Sequence, residues 1–220
     1  MAISNQRFWR QMDICPPEKL QFPIHVIGAG AIGSATVWTL AKMGCANITV
    51  QDHDLLEEHN LANQIAKPSC LGKPKVEALK ELVLELTEVE IGVIAEKYKN
   101  QPLKGVVIAA VDNMRTRKIV WKNVKLNPQI GLLIDPRMGA EFARIYIIRP
   151  CNMDDISFYE ENLYAQKDSE HLPCSARSII YCPGAIGSIV AFVVKKYAQN
   201  EAYPKEILLD LPSLLLTFSA

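Results

Sequence analysis

The segment Ile24-His25-Val26-Ile27-Gly28-Ala29-Gly30-Ala31-Ile32-Gly33 constrains this chain more than any other. A short apolar strand, running from Gln21 to Ile27, ends on G-x-G-x-x-G and opens directly into an apolar helical stretch. That order predicts a βαβ unit over residues 24–54 that cradles phosphate. Gly28 permits the tight turn, Gly30 lets backbone approach a phosphate, and Gly33 lets the helix lie close to the strand. A helix starting at Ala31 offers free N–H groups and a partial positive charge to the same anion. Asn47 to Gln51 reads as the second strand, and Asp52 at its end is placed to bind ribose hydroxyls. A tight corner with no ligand would use the same glycines, yet strand, loop, helix, strand and acid all fall in order. Loop and acid together leave a dinucleotide oxidoreductase and an ATP-using enzyme both open.

Further along, Val76, Leu79, Leu82, Val83 and Leu86 recur at helical spacing. Val89 to Ala95 reads as a strand and Gly105 to Val111 as a fully buried one. Met114 to Val124 is helical, and Ile130 to Ile134 is another buried strand. Strands alternating with helices imply an α/β fold, a mostly parallel sheet with helices on both faces. The β-branched, aromatic run from Ala143 to Arg149 continues that sheet as an antiparallel addition. Residues 151–180 show no clear periodicity and read as a long loop, of the kind that is functional or disordered. A helix is expected from Pro183 to Tyr197, and the tail from Glu206 to Phe218 is apolar enough to pack on the domain or on a partner.

Bulk properties narrow the partners. Lysine plus arginine, 24, balance aspartate plus glutamate, 24, so there is no general attraction to nucleic acid or to an anionic membrane. The first residues lack an apolar signal core, and no stretch approaches the ~20 apolar residues of a bilayer span. A cytoplasmic protein is expected. With 220 residues, one domain over 1–220 is the economical division, with an arm at 1–20 and a tail at 200–220. The cysteines at 15, 45, 70, 151, 174 and 182 form no C-x-x-C pair, so no structural zinc is expected.

Several ordered segments resemble the ThiF/MoeB/HesA family, the adenylating enzymes that include the activating enzymes of ubiquitin-like proteins. Arg7-Phe8-Trp9-Arg10-Gln11 is similar to the family's R-Y-x-R-Q. Asp52-His53-Asp54 followed by Asn60-Leu61-Ala62-Asn63-Gln64 is similar to its D-x-D…N-L-x-R-Q, and Gly72-Lys73-Pro74-Lys75-Val76-Glu77-Ala78 to its G-x-x-K-x-E-A. Val111-Asp112-Asn113, Arg137-Met138-Gly139-Ala140-Glu141 and Cys174…Pro183-Gly184-Ala185-Ile186-Gly187-Ser188 continue the match, which spans residues 7–198.

The resemblance implies a Rossmann-like fold with 151–180 as a crossover loop, an ATP and magnesium site, and a homodimer. It also implies a small ubiquitin-like or sulfur-carrier partner ending in Gly-Gly, whose C-terminal carboxylate is joined to the α-phosphate of ATP as pyrophosphate leaves. The implied nucleotide contacts are Gly28, Gly30, Ala31 and Gly33 in the loop, Asp52 and Asp54 after the second strand, Asn60, Asn63 and Gln64, then Lys75, Asp112 and Asn113. In this set Lys75 pairs with phosphates and Asp112 holds magnesium, although a solvated lysine and a helix cap are the ordinary roles at those places. Arg10 is similar to the arginine that reaches a nucleotide bound by the dimer partner.

Cys174 occupies the place where a family cysteine attacks the acyl-adenylate, with His171 and Arg177 near enough in sequence to favour the thiolate. Cys182, just before a helix, is the alternative, because a helix N-terminus can lower a thiol pKa. One departure from the pattern matters. Asn63 stands where the family has arginine, and it brings no charge to a triphosphate. Lys67, Lys73 or Arg10 would have to supply that charge. A degenerate scaffold subunit beside an active partner is therefore a competing reading, as is an NAD-dependent oxidoreductase.

Overall fold

Val106-Val107-Ile108-Ala109 has no polar residue to turn toward solvent, and it lies wholly buried in a computed structural model of the chain, which describes residues 5–163 and 178–219. The parallel part of the sheet comprises β1 (Ile24–Ile27), β2 (Ile48–Gln51), β3 (Gly92–Ile94), β4 (Gly105–Ala109) and the first half of β5 (Ile130–Gly139). Three strands follow antiparallel, β6 (Phe142–Ile148), β7 (Glu206–Asp210) and β8 (Leu215–Ser219), giving the order β3-β2-β1-β4-β5-β6-β7-β8. The Rossmann-like, mixed α/β sheet expected from the sequence is the one observed.

Alternation along β4 splits the interior in two, because successive side chains point to opposite faces. Val106 and Ile108 join the cluster beneath α1 (Ala31–Lys42), α2 (Lys75–Thr87) and α5 (Tyr181–Ala198). Val107 and Ala109 join the cluster beneath α3 (Met114–Val124) and α4 (Met153–Glu161), with Trp121, Tyr146 and Tyr159. Parallel strands covered on both faces read as continuous apolar runs, and β4 is the clearest case.

The expectation of a structureless 151–180 is corrected at its start, where Met153–Glu161 is helical. Asn152 caps it by accepting from the Asp155 N–H at 3.0 Å, and Asp154 and Asp155 suit the positive end of the helix dipole. Only Ile156 and Tyr159 anchor its inner face as buried apolar side chains, too few to show a period. The apolar tail is resolved as a hairpin, with β7 paired to β6 and β8 forming the outer edge. No helix among the described residues is long and apolar enough to cross a membrane.

Candidate functional site

β1 has β2 and β3 on one side and β4 on the other, so the chain reverses its direction across the sheet between β1 and β4. At such a switch point the connections leave the carboxyl ends of the two strands in opposite directions and open a crevice. The glycine loop follows β1 into that crevice, and Ala110-Val111-Asp112 follows β4 into it.

The three loop glycines answer to three different constraints. Gly28 has φ +102°, and a Cβ there would lie 2.2 Å from the Ala110 carbonyl oxygen, so only glycine lets the two strand ends meet. A Cβ on Gly33 would lie 2.0 Å from the Gly28 carbonyl oxygen, which fixes how closely α1 folds back on the loop. A Cβ on Gly30 would meet nothing within 4 Å. The protein's own packing gives no reason for glycine at that position, whereas the close approach of a ligand does. Gly30 is also the N-cap of α1 and offers no side-chain cap to the first-turn amides that begin at Ala31.

The two acids after β2 are tied into this loop. Asp52 accepts from the Ala29 N–H at 2.6 Å through Oδ2 and from the Asp54 N–H at 2.9 Å through Oδ1. Asp54 in turn accepts from Lys75 Nζ at 2.8 Å, and its carbonyl oxygen accepts from the Lys75 N–H at 2.9 Å. The Lys75 side chain is only 12% exposed, in the first turn of α2. A cation there opposes the helix dipole and needs an anion to hold it. Burial pushes the Asp54 carboxyl up, but the hydrogen bond and charge of Lys75 outweigh it and hold the group below the usual carboxylate range. A continuous chain of hydrogen bonds thus runs from the phosphate loop to Lys75.

The next segment lies against the start of α1, where the Ile65 N–H donates to Ser34 Oγ at 3.0 Å. Asn60 is buried and works locally, accepting from the Glu57 N–H at 3.0 Å in a capping box. The Gln64 N–H closes the same turn on the Asn60 carbonyl. Asn63 Nδ2 donates to Ser178 Oγ at 3.0 Å, while its Oδ1 is buried with no hydrogen-bond partner among the described residues. Neither lysine named as a substitute for the missing arginine is turned to this role. Lys67 pairs with Glu85, and Lys73 with Glu81 at 2.7 Å, both along α2.

Beyond β4, Asn113 rather than Asp112 caps α3, accepting from the Thr116 N–H at 2.8 Å. Asp112 is exposed at the mouth of the crevice, and its Oδ1 accepts from Asn113 Nδ2 at 2.9 Å. Its second oxygen accepts no hydrogen bond from the described residues. One carboxylate oxygen completed by phosphates is a coordination set that magnesium accepts.

Two expected residues stand apart. Arg10 is exposed on the helical turn Asn5–Gln11, beside Ala41 and Lys42 at the far end of α1 from the loop. A helix of twelve residues separates them by about 18 Å. Cys174, with His171 and Arg177, lies outside the described residues. Cys182 is buried in the first turn of α5, and burial, with Glu141 beside it, pushes its thiol pKa up. This corrects the expectation of a lowered pKa, because loss of water and the Glu141 carboxylate both disfavour the thiolate.

A buried ionic group next to the crevice was missed in the sequence. Asp135, with 0% exposure, accepts from Arg117 Nε at 2.8 Å, Arg137 Nε at 2.9 Å and the Tyr159 hydroxyl at 2.9 Å. Burial alone would raise its pKa, but the two guanidinium groups hold it below the usual range. An acid directly after the apolar run Leu132-Leu133-Ile134 was the available signal, since a charge there must be paired.

Known proteins resemble the chain at the levels of family and fold. The adenylyltransferase and sulfurtransferase UBA4 of Yarrowia lipolytica is 40% identical over 63 residues, 29% of this chain and 16% of that protein. The adenylyltransferase and sulfurtransferase MOCS3 of Aedes aegypti is 31% identical over 103 residues, 43% of this chain and 24% of that protein. The chain therefore spans less than a quarter of either curated relative. The crystal structure of E. coli MccB with ATP superposes with a TM-score of 0.78 at 17% identity, over 100% of this chain and 73% of that one. PaaA gives 0.76 at 18% identity, over 96% and 72%. Identities this low speak for the fold alone. The model of the ThiF family matches residues 18–127, half of the 220, and on that match the chain belongs to the ThiF family.

Proposed function

We propose that this chain uses ATP and magnesium to adenylate the C-terminal carboxylate of a small ubiquitin-like or sulfur-carrier protein ending in Gly-Gly. The observation that carries the reading is the hydrogen-bonded chain from Ala29 through Asp52 and Asp54 to Lys75. It ties a largely buried cation to the phosphate loop, and the Asp112 carboxylate follows β4, the strand paired with β1. In this reading Gly28 to Gly33 and the first-turn amides of α1 hold phosphates, and Asp52 keeps lone pairs for ribose hydroxyls. Lys75 neutralises charge that develops as the α–β phosphate bond breaks. Magnesium, held by Asp112, would neutralise the triphosphate.

The acyl-adenylate would then be attacked by the Cys174 thiolate, forming a thioester and releasing AMP. Arg10 lies at the far end of α1 from this crevice, which suits a homodimer in which it serves the partner's nucleotide. Membership in the family and the relatives named as adenylyltransferases support the first step. The cysteine transfer, the dimer and a cytoplasmic location rest on the resemblance of sequence.

ATP–pyrophosphate exchange that depends on added carrier tests the proposal. Exchange should be lost in Asp112→Ala and kept in Cys174→Ala. Protection against thermal unfolding by NADH, but not by ATP with magnesium, would overturn it in favour of an oxidoreductase. One observation favours a scaffold subunit, namely that Asn63 is bonded to Ser178 and brings no charge to the loop. Exchange that appears only when a homologous partner is added would establish that second reading.

A further inference from the structure

Arg117 is the fourth residue of α3, within its first turn, where the helix dipole disfavours a cation. Asp135 sits in β5 with no access to water. Each placement is unfavourable alone, and the two are reconciled by the 2.8 Å bond between Arg117 Nε and Asp135 Oδ1. A second nitrogen of the same guanidinium, Nη2, donates to the carbonyl oxygen of Val111.

We infer that Arg117 and Asp135 are positioning residues of the nucleotide site, acting through the Val111 carbonyl on the turn that presents Asp112. The Val111 carbonyl belongs to the peptide plane that ends at the Asp112 nitrogen, so fixing one orients the other. The guanidinium is planar, so a fixed carboxylate at Nε sets the direction in which Nη2 donates. Asp135 cannot move because Arg137 and the Tyr159 hydroxyl hold its second oxygen. On the crevice side, the Ala110 carbonyl rests against Gly28. The turn Ala110-Val111-Asp112 is thereby pinned between the phosphate loop and a buried ion cluster.

Stability alone is a weak reason for such a cluster, since well-packed apolar side chains commonly replace a buried ion pair without loss. An apolar pair could not give the Val111 carbonyl a donor of fixed direction. The inference rests on the adenylation reading for the role of Asp112, and on geometry alone for the pinning.

Arg117→Lys in the full chain separates the two. Lysine keeps a positive charge beside Asp135 but lacks the planar fork needed to bridge to Val111. Hydrogen–deuterium exchange should accelerate in peptides covering Val111 to Met114 while the rest of the chain stays protected. The magnesium concentration for half-maximal ATP–pyrophosphate exchange should rise about tenfold, as when the support of a metal ligand is removed. Unchanged protection at that turn, or faster exchange spread evenly over the chain, would overturn the inference. If Arg117→Lys does not fold, the double variant Arg117→Gln with Asp135→Asn removes both charges and is measured the same way. A wild-type chain with no pyrophosphate exchange would remove the adenylation reading and the role given to Asp112. The amide-exchange comparison would still uphold or overturn the pinning.

Discussion

Lys75 Nζ lies 2.8 Å from Asp54 Oδ2, so the cation in the first turn of α2 is oriented by an acid that the phosphate loop itself anchors through Asp52. Asp54→Asn should leave Lys75 charged but loosely held, raising the KM for ATP more than it lowers kcat. Lys75→Met should lower both kcat and kcat/KM, because it removes charge needed most in the transition state.

The same pair makes a prediction in acid. The folded-state pKa of Asp54 lies below its usual value of 3.8, so the pair adds stability above that value and loses it as pH falls through the lower, folded-state one. The Asp54 side chain is half exposed, which limits the increment to under about 1 kcal/mol. Thermal unfolding of Lys75→Met should therefore run slightly below wild type at pH 7, and the gap should close as pH falls below 3.8 through the folded-state value. A gap that stays undiminished through the whole acid limb would show that the pair is not what separates them.

The loop glycines divide by what lies in front of them. Gly28→Ala and Gly33→Ala each drive a methyl into backbone, and the first also strains φ, so each should lose at least about 2 kcal/mol of stability. Gly30→Ala meets open space and should lose less than about 1 kcal/mol, the cost of a poorer N-cap. Its ATP affinity should nevertheless fall tenfold or more, about 1.4 kcal/mol, because the methyl projects where phosphate must come close. Melting temperature and ATP titration of the three variants decide this, and tight ATP binding by Gly30→Ala would sink the assignment.

Much of this architecture was legible because it follows from local chemistry. β1, the glycine loop, α1 and the buried run of β4 each declare themselves through apolar pattern and turn residues. Met153–Glu161 was hidden because two buried apolar residues in nine make no visible period, and its cap Asn152 resembles loop composition. The hairpin of β7 and β8 was read only as apolar, since pairing register is a property of strands distant in sequence. The cluster around Asp135 escaped for the same reason, as Arg117 is eighteen residues away and its partnership exists only once α3 lies on β5.

Among the described cysteines, burial sets an order of reactivity. Cys45 is pushed up to about 12, and Cys182 is raised from its ordinary value by burial. Cys151 is exposed. Iodoacetamide at pH 8 should alkylate Cys151 in the native chain while sparing Cys45 and Cys182, as peptide mass spectrometry would reveal. In a carrier-loaded reaction, a thioester that survives Cys174→Ala and disappears in Cys182→Ala would move the proposed nucleophile into the first turn of α5, against the burial seen there.

Asn63 tests how far the site has drifted from the family pattern. Its carboxamide holds Ser178 at 3.0 Å and leaves a buried oxygen unpaired, an arrangement that a guanidinium would change in two ways. Asn63→Arg loses the Ser178 hydrogen bond, worth about 1 kcal/mol, and adds a charged side chain that must turn toward the crevice to stay hydrated. If the chain is a full adenylating enzyme, Asn63→Arg should lower stability modestly and leave pyrophosphate exchange within a few-fold of wild type, because Lys75 already carries the charge. If the asparagine marks a weakened subunit, the same variant should raise exchange by tenfold or more, about 1.4 kcal/mol of transition-state stabilisation. Exchange rates at limiting ATP, measured beside melting temperatures, distinguish the two outcomes directly.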